Sequence, residues 1–305
     1  MVHPNRNDTK NLEIALLEPK PIIDTRKLIR SVFLYYGIAI GWAWLIWAPL
    51  VLGADGLKLL SINPSLPVLT CLATLGPSLG CLITHRLETG NWKPIHLLPA
   101  TRGRWIWVLL GPLMILLCTF VIFPAFISSG SPARWQWHPS VLAGLWLPMF
   151  NYNILGGPLF EEPGWRGFLQ PRLEEMMSPW IAAVCVGLMW AAWHTPLFFV
   201  SWTSASPLSF LLIEVGVSIL IAFAFHSSGN AVLVAILMHD TFNQSSRFIG
   251  PFLGDTPTRS HPSAEMLIAF AYLVMALIIV SLTRGQLHLP VRLSASAQSP
   301  GAGSL

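Results

Sequence analysis

The sequence predicts an all-α, polytopic integral membrane protein with about eight transmembrane helices. Of its 305 residues 53% are hydrophobic and only 10% are charged, a composition too apolar for a soluble domain. Apolar runs of about 20 residues recur along the chain, the length that crosses a hydrocarbon core of ~30 Å at 1.5 Å per residue. The net charge is +4, but no basic helix or basic and aromatic cluster accompanies it, so we expect no nucleic-acid partner.

The apolar runs divide the chain into a membrane domain and two polar ends. The candidate spans are 31–53, 63–85, 105–129, 140–160, 180–202, 207–226, 230–249 and 264–283. Polar residues interrupt the fourth and the seventh. We therefore expect a polar cytoplasmic segment over 1–30, a transmembrane helical domain over 31–284 with its functional core at about 140–250, and a disordered tail over 285–305.

Basic residues fall on one side of this arrangement. All but four of the 18 Lys and Arg lie before the first span or in the loops after even-numbered spans; the exceptions are Lys58, Arg134, Arg247 and Arg259. The positive-inside rule then puts both termini in the cytoplasm. We expect a multi-pass protein of the lipid bilayer, located in the plasma (inner) membrane if the host is a bacterium.

Ionisable side chains are rare in the later spans, where each needs a protein or water partner. Glu161 and Glu162 point about 100° apart on a helix, and Glu162 and Arg166 form an i,i+4 pair. Glu161 is thereby left free to accept a proton from a bound water. The spacing alone leaves the roles of two further acidic residues, Glu214 and Asp240, open.

Three more polar side chains complete a hydrolytic set. His194 could hold the same water as Glu161, and His239 and Asn243, one helical turn apart, could donate to an oxyanion on a substrate carbonyl. For Glu161 to reach their depth, the fourth helix must continue through GWRGFLQPRLEEMM. That continuation predicts a water-filled cavity open to the cytoplasm, lined by Arg166 and Arg172.

Three motifs carry a resemblance to a known family. The chain has EEPGWR at 161–166, WAAWH at 190–194 and HDTFN at 239–243. It resembles the CPBP family of intramembrane proteases, which includes the type II CAAX prenyl endopeptidases and bacteriocin-processing or immunity proteins, with motifs EExxxR, FxxxH and HxxxN or HxxxD. The resemblance covers about 150–245. One departure is Trp190, where the family commonly has Phe.

The resemblance implies an eight-helix membrane endopeptidase that cleaves a protein or peptide, prenylated in the best-known cases. Glu161 would be the general base acting with His194 on one water, His239 and Asn243 would form the oxyanion hole, and Glu162 with Arg166 would support the site. The family is often labelled metalloprotease, and two His and one Glu can bind catalytic zinc. We favour a mechanism that requires no cofactor, because HExxH is lacking and zinc ligation leaves Asn243 unexplained.

Two other functions compete with proteolysis. The protein could be a catalytically silent membrane scaffold or bacteriocin-immunity protein. It could also be a proton-coupled transporter that uses Glu161, Glu214 and the histidines as a relay, a common use of intramembrane carboxylates. The sequence shows no evident inverted repeats, which argues against the transporter.

Overall fold

A computed structural model describes residues 24–92, 98, 102–121, 154–200, 206–253 and 262–288. Over these residues the chain is helical and contains no strand, which confirms the all-α prediction. The helices are α1 (Thr25–Leu52), α2 (Leu66–Ala73), α3 (Leu75–Thr89), α4 (Trp107–Val121), α5 (Pro158–Gly164), α6 (Gln170–Glu174), α7 (Pro179–Trp193), α8 (Pro207–Ser227), α9 (Val232–Leu253) and α10 (Pro262–Leu282). Short 3-10 segments over Arg102–Ile106 and Thr195–Phe199 accompany them.

The prediction of membrane spans is supported for part of the chain. Four stretches in the described part are long and apolar enough to cross a membrane: Thr25–Leu52, Leu66–Thr89, Pro207–Ser227 and Glu265–Leu282. Arg104–Thr119 and Pro179–Trp193 are apolar but shorter. The predicted count of eight is not confirmed, because most of the span expected at 140–160 lies outside the described residues and α9, in the place of the seventh, is too polar.

The predicted boundaries of the membrane domain stay predictions. The first helix begins at Thr25, within the segment expected to be polar and cytoplasmic, because the Asp24 carboxylate caps it by accepting from the N–H groups of Arg26 and Lys27. At the other end, the tail expected from 285 begins with a packed turn in which Leu287 is buried. Residues 1–23 and 289–305 lie outside the described part of the chain.

Helix α8 is the central element of the described fold. Most of its side chains are buried, and it packs against both α7 and α10. Gly187 of α7 permits the close approach to α8, since a methyl group there would lie 2.7 Å from the Cα of Val215. A helix that is apolar all round, like α8, suits a position surrounded by other helices.

Helix α5 packs directly on the backbone of α3. A methyl group at Gly164 would lie 2.5 Å from the carbonyl oxygen of Pro77, and the Ser78 hydroxyl donates to the carbonyl oxygen of Phe160 at 2.5 Å. This contact fixes the helix that carries the two adjacent glutamates.

Candidate active site

The first motif lies on a helix that changes its pitch within the site. The segment runs without a break through α5, a π-helical turn over Trp165–Leu169, and α6. The predicted continuation of this helix beyond Glu162 is therefore present, although its described part begins only at Pro158. Single π-helical turns inside α-helices are frequent at functional sites because they re-aim side chains.

Glu162 and Arg166 form a fully buried ion pair. Both side chains are 0% exposed, and Nη1 of Arg166 donates to Oε1 of Glu162 at 3.1 Å. Nη2 of Arg166 donates to the Ser218 hydroxyl on α8 at 3.2 Å, and that hydroxyl donates to the carbonyl oxygen of Ala183 on α7 at 2.8 Å. The pair thus connects the first motif to both neighbouring helices.

Both arginines of this segment have protein partners. Arg166 pairs with Glu162 and donates to Ser218, and its Nε has no hydrogen-bond partner among the described residues. Arg172 is about one-fifth exposed and forms an ion pair with Glu88 at 3.2 Å. Its guanidinium also stacks on Phe168 at 3.4 Å from the ring centroid and donates to Ser31. The water-filled cavity expected around the two arginines stays a prediction.

Glu161 is oriented by two indole groups. Its side chain is 3% exposed, and its Oε2 accepts a hydrogen bond from Nε1 of Trp190 at 2.9 Å and a longer one from Nε1 of Trp165 at 3.4 Å. The other oxygen, Oε1, borders Gly157, where a methyl group would lie 3.2 Å from it. The two oxygens of this carboxylate therefore have different surroundings.

His194 lies directly after the last residue of α7. Its Nδ1 is 3.0 Å from the carbonyl oxygen of Trp190, and since a carbonyl oxygen only accepts, Nδ1 carries the proton. The imidazole packs edge-on against Trp193 and Phe210, with ring centroids 4.7 and 5.3 Å away. In the neutral ring Nε2 is then a hydrogen-bond acceptor.

His239 is fixed in the same way by a carboxylate. Its Nδ1 donates to Oε1 of Glu162 at 2.8 Å, and its ring meets the Trp190 ring edge-on with centroids 4.7 Å apart. Glu162 is therefore shared between Arg166 and His239. A carboxylate in this position fixes the orientation of the imidazole.

Asn243 lies one turn after His239 on α9 and is exposed, unlike its neighbours in the site. A methyl group at Gly157 would lie 3.6 Å from Nδ2 of Asn243 as well as 3.2 Å from Oε1 of Glu161. The amide of Asn243 and the free oxygen of Glu161 thus border the same space. An exposed amide beside a buried carboxylate is accessible to a substrate.

The structure brings four of the predicted site residues, Glu161, Arg166, His194 and His239, around one side chain that spacing alone did not select. The Trp190 ring contacts the imidazoles of His194 and His239, and the guanidinium of Arg166 lies 5.3 Å from the centroid of that ring. Sequence reasoning assigned Trp190 only aromatic packing. Its position three residues after Gly187 and four before His194 could not indicate that its N–H reaches Glu161.

Glu214 is a third buried carboxyl group near the site. It is 2% exposed, interacts electrostatically with Glu161, Arg166 and Glu162, and stands one turn before Ser218 on α8. Its Oε2 has no hydrogen-bond partner among the described residues. The sequence analysis left the role of this carboxylate, within a predicted span, open.

The donor set does not fit a zinc site. Among the side chains that the structure describes, no group of three or more His, Cys, Asp or Glu is close enough to hold a metal ion. We therefore derive no step through a metal, and metal independence stays a prediction.

Comparisons with known proteins agree with the motifs. Residues 142–245 match the model of a family described as "Type II CAAX prenyl endopeptidase Rce1-like". A protein of Methanococcus maripaludis named "CAAX prenyl protease 2" is 26% identical over an alignment that covers 46% of this chain and 54% of that protein. The chain thus spans about half the length of the curated relative it matches. The family resemblance is confirmed for the region that carries all three motifs.

Proposed function

We propose that the protein is an intramembrane endopeptidase that hydrolyses a peptide bond of a protein or peptide at the cytoplasmic side of the membrane. The family match over 142–245 is to a protease family, and the apolar helices support an integral membrane protein. The single observation that carries the proposal is the arrangement of Glu161, whose Oε2 is held by indole N–H groups while Oε1 borders the same space as the exposed amide of Asn243.

Water activation requires a proton acceptor and a second group that fixes the water. Oε1 of Glu161 takes a proton from the water, and Nε2 of His194 accepts a hydrogen bond from it, since the Nδ1 proton of His194 is committed to the Trp190 carbonyl. The water oxygen then attacks the carbonyl carbon of the scissile bond. The π electrons of that carbonyl move to its oxygen, which becomes an oxyanion.

Charge on the oxyanion is stabilised by donors from α9. The Nδ2 group of Asn243 donates one hydrogen bond, and Nε2 of His239, whose Nδ1 is held by Glu162, donates the other when it carries a proton. When the tetrahedral intermediate collapses, the C–N bond breaks and its electron pair stays on nitrogen. Glu161 returns its proton to that nitrogen, so the products are a carboxylic acid and an amine, which exchange a proton to become a carboxylate and an ammonium group.

Glu162 and Arg166 act by holding the site in shape. Their buried pair ties the first motif to α8 through Ser218 and to α9 through His239. Neither side chain needs to touch the substrate for this role. The two adjacent glutamates thus perform separate tasks, as their divergent directions on a helix require.

The substrate class that we propose is supported by the comparisons alone. The relative's name and the family description both refer to CAAX prenyl proteins, so a peptide with a lipidated cysteine near its C-terminus is the first substrate to test. An apolar lipid on the substrate would partition into the bilayer and deliver the adjacent peptide bond to a site inside the membrane.

The test uses the purified protein in detergent with a panel of prenylated and unmodified peptides. We expect cleavage of at least one peptide, a loss of about 10²–10⁴-fold in rate for Glu161→Gln, and no loss with a chelator. A variant that folds and accumulates normally separates catalysis from stability. Wild-type protein that cleaves no peptide, with its cellular phenotype retained in Glu161→Gln, would instead support a scaffold or immunity protein.

A further inference from the structure

Trp190 differs chemically from the residue that the motif of the resembled family usually carries at its position. Phe and Trp both fill an apolar pocket, but only Trp has an N–H group. Trp190 is 1% exposed, and its Nε1 lies 2.9 Å from Oε2 of Glu161. A hydrogen bond to a carboxylate at this distance is charge-assisted and stronger than one between neutral groups.

The direction of this N–H group is fixed by the contacts of the indole ring. The guanidinium of Arg166 lies over the ring, and His239 meets it edge-on. The backbone carbonyl of Trp190 accepts from Nδ1 of His194. The indole ring is therefore contacted by two of the other site residues, Arg166 and His239, and the backbone of Trp190 by a third, His194.

Glu161 needs such an external constraint because its own side chain does not supply one. The terminal torsion of a glutamate joins sp³ and sp² atoms and has a broad, roughly two-fold preference. Without a donor on one oxygen, the plane of the carboxylate can turn about this torsion, so the oxygen that faces the substrate space has no fixed position. The bond from Trp190 removes this freedom and leaves Oε1 beside Gly157 and Asn243.

We propose that Trp190 is a positioning residue that reserves Oε2 of Glu161 through its indole N–H, so that Oε1 alone acts as the base. The inference rests on the proposed function of Glu161 and adds that its two oxygens have different roles, one held by the indole and one acting on the water. Trp165 assists from the same helix as Glu161, at a longer distance of 3.4 Å. Trp190 is not itself a catalytic residue, since the bond it makes is to the base and not to the substrate.

The sharpest perturbation removes the N–H group and leaves the ring. Incorporation of 3-benzothienylalanine at position 190 replaces the indole nitrogen by sulfur at nearly constant shape, and Trp190→Phe restores the residue common in the family. We expect both to lower kcat by about 10-fold to 100-fold with a change in KM of less than about twofold, because misplacement of a reacting group by about 1 Å has costs of this order.

Trp42→Phe is the matched control. Nε1 of Trp42, on α1, donates to the carbonyl oxygen of Leu72 at 2.8 Å. This bond is close in length to the 2.9 Å bond from Trp190 to Glu161 and involves no residue of the site. We expect this variant to keep the wild-type kcat. Loss of activity in Trp190→Phe with full activity in the benzothienyl protein would overturn the proposal, because ring volume and not the N–H would then matter. Full activity in both would overturn it as well.

A measurement independent of activity separates this inference from the proposed function. In protein with ¹⁵N-labelled tryptophan, the indole signal of Trp190 is assigned by its loss in Trp190→Phe. We expect Glu161→Ala to move that signal and to leave the Trp42 signal in place. A Trp190 signal that does not move would refute the hydrogen bond itself, whereas a moved signal in a protein without peptidase activity would refute only the proposed function.

Discussion

Glu162→Gln should destabilise the protein far more than Glu88→Gln, although both changes remove a carboxylate from an ion pair with arginine. The Glu162–Arg166 pair is 3.1 Å long with both side chains 0% exposed, and the Glu88–Arg172 pair is 3.2 Å long with side chains 19% and 20% exposed. The two pairs are similar in length and differ in burial, and Glu162 also accepts a hydrogen bond from His239. Burial decides the cost, because a guanidinium left without its carboxylate can recover solvation only where water reaches it.

The expected magnitudes differ by several kcal/mol. Breaking a buried pair by removing one partner costs about 3–5 kcal/mol, whereas a solvent-accessible pair contributes about 0–1 kcal/mol. For a chain of this size each kcal/mol changes Tm by about 2–4 °C, so Glu162→Gln should lower Tm by roughly 6–20 °C and Glu88→Gln by no more than about 4 °C.

The assay is thermal unfolding of the purified variants in one detergent, followed by loss of helical circular dichroism or by exposure of buried cysteines. The double variant Glu162→Gln, Arg166→Met removes both charges. It should be more stable than the two single effects predict, by about 1–3 kcal/mol. Equal losses for Glu162→Gln and Glu88→Gln, or strictly additive single effects, would refute the reasoning about the buried pair.

Three further predictions concern the site. Gly157→Ala should lower kcat in the peptide assay with the fold retained, because its methyl group would lie 3.2 Å from Oε1 of Glu161 in the space assigned to the water; an unchanged kcat would contradict that assignment. Peptide cleavage should survive incubation with a chelator, since the described side chains contain no group of three that could share an ion; loss on chelation and recovery with zinc would count against it. Glu214→Gln should keep or raise Tm, because Oε2 of this buried carboxyl group has no hydrogen-bond partner among the described residues; a clear fall in Tm would show that its charge is stabilised.

Local spacing was enough to predict the parts of the site that lie on one helix. The pairing of Glu162 with Arg166 follows from the i,i+4 geometry of a helix, and the structure contains it. The same argument gave Glu161 no partner on its own helix. In the structure, Nε1 of Trp165 makes a longer contact of 3.4 Å with it. Motif order and spacing predicted the family resemblance, because those features depend on the chain alone.

Contacts between distant segments could not be read from spacing. Ser218, which accepts from Arg166, and Trp190, which donates to Glu161, come from other helices. Their roles depend on how α7 and α8 are rotated and how deeply they pack. The predicted water-filled cavity rested on the need of Arg166 for partners, and spacing could not identify Ser218 as one of them; the cavity itself stays a prediction.

The extent of the membrane domain was only partly predictable. Hydropathy found the long apolar helices α1, α8 and α10, where composition alone determines the outcome. It could not locate the start of α5, which follows Gly157 inside an apolar run, or separate α2 from α3 within a single predicted span. Orientation in the membrane and the location of both termini stay predictions from the distribution of Lys and Arg.

The most direct test of the account is the initial rate of peptide-bond cleavage by the wild-type protein and by Glu161→Gln, in lipid nanodiscs prepared with isotopically labelled water. The account predicts one labelled oxygen in the new carboxylate of the product and a rate lower by about 10²-fold or more in the variant. Cleavage at the wild-type rate by a folded Glu161→Gln protein would contradict it.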